Sequence, residues 1–310
     1  MNASQGDFPS FSGLFDQELP PRQVFRLTEQ RLARRRAHAP DLRGAVAEAL
    51  QVALGRTPAT PGCLAAGQAI ADAVEAHGAA FAPGREPAYH DRHHQADAVI
   101  AMGWLAGTAR RMGLLVPPAA AAAVLAMAAH DLLHDGSAGA PGRLEARSAA
   151  AAADLGRQAG LDEVAIATMR RVILATDIGR PAAAKAADDL LCRLGQEADL
   201  FGSLTPGLGW SLGEALARER RELGVTAAPP VDSFAGRLGW LCNLRQPTRA
   251  GEALGLAVAE ADQIAAFSES VRGLGLTAAT PDQAAAALDA LPRNEARERY
   301  LAALKAVSGE

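Results

Sequence analysis

The sequence predicts an all-α protein, a compact multi-helix domain, and three observations support this prediction. Hydrophobic residues make up 49% of the chain and aromatic residues only 4%, so alanine supplies much of the apolar content, and alanine is the strongest helix former. Apolar residues do not alternate with polar ones over more than a few positions, as they would along a half-buried strand. Proline and glycine separate segments of helical length, and no repeat of constant period is visible, which argues against a solenoid.

The helices are expected in the following order. After an irregular leader over about residues 1–20, helical periodicity begins at Arg22 and continues to His38, and Pro40 ends it. Further helices are expected at about residues 41–54, 62–80, 92–112, 118–132, 142–159, 161–176, 182–197, 209–223, 231–243, 250–273 and 281–306. The last of them opens with the sequence TPDQ at residues 280–283, which gives a Thr N-cap, Pro at the first helical position and Gln three residues after the cap.

Two parts of the chain are distinguished. We expect residues 1–45 to form an N-terminal extension, the irregular leader followed by a basic helix, and residues 46–310 to form one helical domain, because no linker divides them. The basic helix carries an arginine run, whose members are Arg31, Arg34, Arg35 and Arg36. Such a run is typical of a solvated helix face, and an anion-binding patch is the alternative.

The charge balance argues against a nucleic-acid partner, because 31 Lys+Arg against 35 Asp+Glu give a net charge of −4. The longest apolar stretch, residues 114–129, contains two prolines and is shorter than the ~18–20 residues of a membrane span. The N-terminus lacks the basic and apolar regions of a signal peptide. Cys63, Cys192 and Cys242 form no CxxC pair and indicate buried free thiols in a reducing compartment. We therefore expect a cytoplasmic protein without a membrane partner, and its oligomeric state is left open.

Five of the seven histidines fall between positions 90 and 134. They lie in two short segments, YHDRHHQAD at residues 89–97 and HDLLHDG at residues 130–136. His90 and His94 are spaced i, i+4 where a helix is expected to begin, so both side chains would reach one site. His130 and Asp131 close a strongly apolar helix, and a neutral imidazole beside a carboxylate at the edge of a dry core suits a divalent metal ion.

Two further aspartates, Asp177 and Asp199, are each expected at the end of an apolar helix. The helix dipole opposes a carboxylate at that position, so each one needs a cap, a salt bridge or a bound cation. For Asp199 the structural and the cation-binding roles are both left open, whereas for Asp177 the structural role is preferred.

Taken in order, the segments YHDRHHQAD, HDLLHDG, LEARS, ILATD and EADL resemble the catalytic domain of the class I cyclic-nucleotide phosphodiesterases, within the HD metallohydrolase superfamily. In that family the succession is YHN-x-x-H-A-x-D-V, HD-x-D-H-P-G, L-E-N-H-H, LATDM and ADLSNP. The resemblance covers roughly residues 85–245. It implies an HD-type helical catalytic domain over residues 46–310 that hydrolyses a 3′,5′-cyclic nucleotide, cGMP or cAMP, to the 5′-monophosphate.

The resemblance also implies two divalent metal ions. Four residues would hold the first ion: His94, His130, Asp131 and Asp199. Two imidazoles and two carboxylates fit Zn²⁺ or Fe²⁺. Asp131 would also bridge to a second ion held mostly by water, for which Mg²⁺ or Mn²⁺ is suited. Such a pair of ions activates water for in-line attack on a phosphodiester.

By the same resemblance, His90 takes the place of the general acid that protonates the leaving group, and Glu219 that of the glutamate that orients this acid. Glu145 matches the catalytic glutamate of LENHH. His134 matches the second histidine of the HD motif and would contact the metal ligands without binding the metal itself. His93 has no counterpart and is expected at the surface.

The segments that would contact the substrate depart from the family pattern. LENHH becomes LEARS at residues 144–148, which removes two histidines, and ADLSNP becomes ADLFGS at residues 198–203, which removes an asparagine of the nucleotide pocket. Where the family has Gln-x-Gly-Phe, this chain has Arg237 and Trp240. The resemblance implies that Trp240 stacks on the base, with Leu216 as the opposite wall and Tyr89 also at the substrate.

Arg237 is the largest departure. A guanidinium has five donors and no acceptor, so it can fork onto O6 and N7 of guanine but meets only one acceptor on adenine. If Arg237 reads the base, guanine should be preferred by about tenfold or more, since such a fork is worth about 1–3 kcal/mol in protein–DNA contacts. The alternatives are a salt bridge to a nearby acid such as Asp232, or binding to a carboxylate or second phosphate of a different substrate.

The expected activity is therefore that of a metal-dependent phosphodiesterase acting on a small-molecule phosphodiester. The alternatives are another HD-superfamily phosphohydrolase, such as a nucleotide or small-phosphoester phosphatase, and more distantly a di-iron oxygenase. A catalytically idle ligand-binding module is the alternative from a different class.

Overall fold

The computed structural model describes residues 19–82, 84–137, 140–177, 189–225, 229–275 and 279–309. The prediction of an all-α protein is confirmed, since every regular element in these ranges is helical. The helices are α1 (Pro21–Arg36), α2 (Leu42–Leu54), α3 (Pro61–Ala79), α4 (Arg92–Arg111), α5 (Pro117–Ala129), α6 (Arg143–Gln158), α7 (Glu163–Thr176), α8 (Leu190–Leu204), α9 (Pro206–Glu222), α10 (Phe234–Cys242), α11 (Arg249–Ala253), α12 (Leu256–Ser270), α13 (Pro281–Asp289) and α14 (Arg293–Ser308).

Three predicted helices differ from the observed ones. The helix expected at 182–197 corresponds to α8, which begins at Leu190. Asp189 caps its first turn by accepting hydrogen bonds from the backbone N–H groups of Leu191 and Cys192. Residues 182–188 of the prediction lie outside the described ranges. The helix expected at 250–273 is divided into α11 and α12 at Gly255, and that expected at 281–306 into α13 and α14 before Pro292.

Gly255 shows why the chain breaks there. Its φ is +87°, which favours glycine. A Cβ atom at this position would lie 2.3 Å from the carbonyl oxygen of Pro21. The break therefore lets the start of α1 pack directly on the start of α12.

The core is built around α4, which is buried from His94 to Ala109. Helix α2 crosses α4 at very short range: a Cβ on Gly103 would lie 2.6 Å from the Cα of Ala49, and one on Gly107 would lie 2.7 Å from the carbonyl oxygen of Val52. Helix α5, rich in alanine, is buried from Ala122 to its end.

Helix α1 belongs to the same body. Val24, Phe25 and Leu32 are part of the common hydrophobic core, and the ring of Phe25 lies 5.5 Å from that of Phe201. The predicted division at residue 45 falls inside α2.

Three members of the arginine run of α1 form ion pairs, while Arg34 is exposed, so the expectation of a solvated face holds for part of the run. Arg31 and Arg35 bind Glu48 of α2, and Arg36 binds the buried Asp97 of α4 at 2.5 Å.

The described helices and the three cysteines bear on the expectations about membrane spans and free thiols. No helix in the described part of the chain combines the length and apolarity needed to cross a membrane. Cys63 and Cys192 are buried free thiols, as expected, but Cys242 is exposed because it ends α10 at the surface.

Candidate metal centre

The first histidine segment surrounds the start of α4. Asp91 is the N-cap, and its carboxylate accepts a hydrogen bond from the backbone N–H of His94 at 2.8 Å. His90 therefore precedes the helix, and the expectation that it shares a helix face with His94 is wrong. The turn nevertheless brings the two rings together, with centroids 5.7 Å apart.

The second segment follows the end of α5, as predicted. His130 donates a hydrogen bond from Nδ1 to the carbonyl oxygen of Met127 at 2.8 Å. This bond fixes the orientation of the ring and turns Nε2 toward the centre, which is the arrangement found in metal-bound histidines.

Asp199 lies in the middle of α8, so the prediction that it ends a helix is wrong. The helix continues to Leu204 because apolar residues persist beyond Asp199, with Phe201 and Leu204 both buried. From this position the Asp199 carboxylate reaches His94 on α4 and His130 after α5.

Four donor atoms converge at this point, one from each of the predicted ligands. Nε2 of His94 lies 3.0 Å from Oδ1 of Asp199, 3.6 Å from Oδ2 of Asp131 and 3.4 Å from Nε2 of His130. Nε2 of His130 lies 3.2 Å from Oδ2 of Asp131 and 3.4 Å from Oδ1 of Asp199. Donors bound 2.0–2.1 Å from one tetrahedral ion are about 3.3–3.4 Å apart, and these five distances are close to that value. The donor atoms of His94, His130 and Asp131 all lie within 4.8 Å of one another and could hold a metal ion. Asp199 contacts both histidines but is not part of that group of three.

The attraction between His130 and the carboxylates of Asp131 and Asp199 is strong enough to outweigh the burial of these groups. Burial opposes the charge of Asp131, yet His130 outweighs burial and holds the pKa of Asp131 well below its usual range. Burial also opposes the charge of Asp199, but His130 and His94 lower its pKa. For His130 the two carboxylates outweigh burial and raise the pKa well above its usual value. A bound divalent ion would replace the imidazole protons as the positive charge that compensates the two carboxylates.

His90 and Glu219 form a hydrogen-bonded pair beside the four donors. Nδ1 of His90 donates to Oε1 of Glu219 at 2.6 Å, while Oε2 accepts from the backbone N–H groups of Tyr89 (2.8 Å) and His90 (3.2 Å). Burial opposes the Glu219 charge, but these bonds lower its pKa to about 2. For His90 the attraction of Glu219 and Asp131 outweighs burial and raises the pKa.

His134 stacks on His90, with ring centroids 3.9 Å apart and planes 22° apart. Burial and the neighbouring His90 lower the pKa of His134 to about 4, so its ring is neutral near pH 7. Stacked rings direct their nitrogen lone pairs along parallel planes, so His90, His134 and Glu219 do not form a metal site, although their donor atoms lie close together. His77 donates from Nε2 to the His134 carbonyl oxygen.

Oxygen donors also lie around Asp131 on the side of α6 and α7. Glu145, in the first turn of α6, is half-buried, and burial together with the charges of Asp177 and Asp131 raises its pKa. Asp177 follows α7 directly, as predicted. These carboxylates could accept hydrogen bonds from the water shell of a second ion.

The positions where the family has two histidines are used for structure. Arg147 forms an ion pair with Asp135 at 3.0 Å, and Oγ of the buried Ser148 accepts a hydrogen bond from the backbone N–H of Leu133 at 3.2 Å. Both contacts hold the loop after His130-Asp131.

On the expected substrate side, Tyr89 is buried against His90 and His94. Its ring lies 4.6 Å from that of His94 and 4.8 Å from that of His90, and its hydroxyl shares a 2.9 Å hydrogen bond with Oγ of Ser203. Trp240 on α10 and Leu216 on α9 are half-buried, and His93 is also partly exposed.

Arg237 is buried, and its guanidinium contacts protein acceptors. It donates to the carbonyl oxygens of Ser203 and Thr205 at 3.4 Å and to Oε1 of Gln263. The alternative of a salt bridge to Asp232 is wrong, because that carboxylate binds two other arginines, Arg221 and Arg293.

Sequence reasoning missed three residues that support the centre. Ser203 binds Tyr89, Gln263 binds Arg237, and Arg36 binds Asp97 one turn after His94. Each partner is distant in the chain, so no spacing pattern could have shown these pairs.

Comparison of the chain with protein-family models and with curated proteins found no match.

Proposed function

We propose that this protein is a metal-dependent phosphodiesterase that hydrolyses a 3′,5′-cyclic nucleotide to the 5′-monophosphate. The observation that carries the proposal is the group of His94, His130 and Asp131, with Asp199 in contact with both histidines, beside a histidine that is hydrogen-bonded to a buried glutamate. A metal site alone would fit many functions. A cation site with an adjacent proton donor fits the cleavage of a phosphoester whose leaving group must be protonated.

In this proposal His94, His130, Asp131 and Asp199 hold Zn²⁺ or Fe²⁺, because two imidazoles and two carboxylates suit these ions. Asp131 would also hold a second ion, Mg²⁺ or Mn²⁺. When bound, such ions would lower the pKa of a bound water and compensate the charge of the phosphate. Three of the four donor side chains are almost fully enclosed.

His90 supplies the proton in the same reaction. A water that has lost one proton to solvent attacks as hydroxide, and its oxygen forms a bond to phosphorus while the bond from phosphorus to O3′ breaks. His90 donates a proton to O3′ as it leaves and then takes up a proton from solvent. Glu219 keeps the His90 ring oriented and favours its protonated form. Because Nδ1 is bound to Glu219, the proton is delivered from Nε2.

A second candidate is a phosphohydrolase that acts on a small phosphoester without a base. One observation favours it: the guanidinium of Arg237, expected at the purine edge, is already bound to protein oxygens. The half-buried ring of Trp240 favours the nucleotide, since aromatic rings stack on bases.

The test is a measurement of metal content together with a substrate panel. The purified protein is assayed with cGMP, cAMP, bis(4-nitrophenyl) phosphate and 4-nitrophenyl phosphate, with Asp72→Asn as a control in an exposed ion pair. We expect bound metal, and 5′-GMP or 5′-AMP as product. Turnover of the monoester alone would support the second candidate, and a protein without metal would contradict both.

A further inference from the structure

We infer that Arg237 is a positioning residue of the metal centre: it fixes the C-terminal end of α8 and thereby the metal ligand Asp199. The inference rests on the proposed metal centre but not on the identity of the substrate. It also gives Arg237 a role different from reading a purine base.

The contacts of Arg237 are concentrated on the end of α8. Its two terminal nitrogens donate to the carbonyl oxygen of Ser203, and Nη2 also reaches the carbonyl oxygen of Thr205 and Oε1 of Gln263. Gln263 in turn donates from Nε2 to the carbonyl oxygen of Leu204 at 2.6 Å. Three consecutive carbonyl groups at the helix end are thus held by two side chains from α10 and α12. The carbonyls of Ser203 and Leu204 lie in the last turn of α8 and have no partner within that helix. The carbonyl of Thr205 also accepts the backbone N–H of Gly209 in α9.

The positive charge of Arg237 lies at the C-terminal end of α8. A cation near a helix C-terminus interacts favourably with the helix dipole, and more strongly where the site is partly buried. Arg237 is only 6% exposed, and its guanidinium carbon lies 5.2 Å from the ring centroid of Trp210 and 5.7 Å from that of Trp240. Two indole faces therefore stabilise the cation and shield its hydrogen bonds from water.

The end of α8 is connected directly to the metal centre. Ser203, whose carbonyl Arg237 binds, lies one helical turn after Asp199, and its hydroxyl binds the hydroxyl of Tyr89. The ring of Tyr89 packs against that of His94. Ser203 is therefore held on both sides, and a shift of this turn would move Oδ1 of Asp199 relative to Nε2 of His94, now 3.0 Å away.

A close approach of α9 confirms that the space around this helix end is fully used. A Cβ on Gly209 would lie 2.3 Å from the carbonyl oxygen of Ser203 and 2.9 Å from Nη2 of Arg237. A guanidinium enclosed in this way would have to leave its protein acceptors before it could bind a base.

The experiment compares Arg237→Met, Arg237→Lys and Gln263→Leu with a matched control, Arg221→Gln, which removes an exposed arginine of the neighbouring ion pair. Co²⁺ is titrated into each apoprotein and its visible absorption gives the affinity and the ligand geometry. The kcat/KM values are measured for cGMP, cAMP and the base-free bis(4-nitrophenyl) phosphate.

We expect Arg237→Met to weaken Co²⁺ binding by about 10–100-fold, the usual cost of losing a residue that orients metal ligands, and to alter the Co²⁺ spectrum. All three substrates should lose the same factor in kcat/KM, so the ratio of cGMP to cAMP stays constant. Arg237→Lys should bind Co²⁺ more tightly than Arg237→Met, because an ammonium can still donate hydrogen bonds to the carbonyls. Gln263→Leu should also weaken Co²⁺ binding. This second variant tests the inference if Arg237→Met does not fold.

Unchanged Co²⁺ affinity in folded Arg237→Met, or a loss restricted to the nucleotides with a changed cGMP to cAMP ratio, would overturn the inference. The proposed function fails in a different way. If the wild-type protein cleaves none of the substrates but Arg237→Met still binds Co²⁺ more weakly, the activity is wrong and the positioning role of Arg237 stands.

Discussion

Three histidines of the candidate site have different environments, and these environments underlie the roles proposed for them. His130 donates its Nδ1 proton to a backbone carbonyl and turns Nε2 toward two carboxylates, which suits it to the proposed role of metal ligand. His90 donates its Nδ1 proton to Glu219 and has a raised pKa, which suits it to the proposed role of proton donor. His134 is stacked and neutral, with a pKa of about 4.

Replacement of Asp131 by alanine should abolish both metal binding and turnover. The residue provides one of four converging donors and is the proposed bridge to a second ion, so its loss leaves the charge of the ions uncompensated. Metal content by mass spectrometry and activity on the substrate panel are compared with the Asp72→Asn control. A variant that retains two metal ions per chain and near-normal activity would show that the site is assigned wrongly.

Replacement of His90 by alanine should leave the metal ions in place and slow the reaction by about 10²–10⁴-fold on a substrate with a poor leaving group. His90 is not among the converging donors, and its Nδ1 is bound to Glu219. A nitrophenyl ester should lose far less activity because its leaving group needs no proton. Equal losses on the cyclic nucleotide and the nitrophenyl ester would rule out the role of a general acid.

Replacement of Glu219 by glutamine should move the alkaline limb of the pH–rate profile to lower pH. Burial lowers the pKa of His90, and the hydrogen bond and charge of Glu219 are among the interactions that raise it. Since the acid acts in its protonated form, a lower pKa means that activity is lost at a lower pH. The measurement is kcat against pH on cyclic nucleotide; an unmoved alkaline limb would contradict the proposed pair.

At the scale of the helices, the sequence predicted the existence of the elements better than their ends. Periodicity located α2 to α7 within a few residues, because each has an apolar face and clear flanking signals. It misplaced α8, whose start depends on the cap at Asp189, and therefore placed Asp199 at a helix end. The break at Gly255 was missed because its reason is the approach of α1, far away in the chain.

The crossing of α2 and α4 gives a prediction at this scale. Gly103→Ala should lower the free energy of unfolding by about 1–3 kcal/mol or more, since the new methyl group would lie 2.6 Å from the backbone of Ala49, which cannot move as a side chain can. Urea denaturation provides the measurement. Gly239→Ala is the matched control, because its methyl group would meet no atom within 4 Å; equal effects of the two substitutions would contradict the close crossing.

At the scale of the whole molecule, the candidate site is assembled from distant parts of one body. The four donors come from α4, the turn after α5 and α8, and α1 contacts this body through Arg22–Asp262 and Arg36–Asp97. The order of the motifs along the chain, compared with that of the family they resemble, predicted that His94, His130, Asp131 and Asp199 would lie close together. Their side chains are in contact in the structure. The sequence could not predict how α1 joins the body, since these ion pairs link residues 240 and 61 positions apart.

Because the donors meet only in the folded chain, metal should stabilise the whole molecule. An ion that binds the native state and not the unfolded chain adds about 4 kcal/mol at a free concentration 1,000 times its Kd. We expect the midpoint of thermal unfolding to rise when Zn²⁺ or Mn²⁺ is added to the chelated protein, and the rise to be absent in Asp131→Ala. The Asp72→Asn variant should respond like the wild type, since Asp72 lies in an exposed ion pair. An equal rise in Asp131→Ala would mean that the ion binds elsewhere, and the four converging side chains would then be a hydrogen-bonded cluster without a metal.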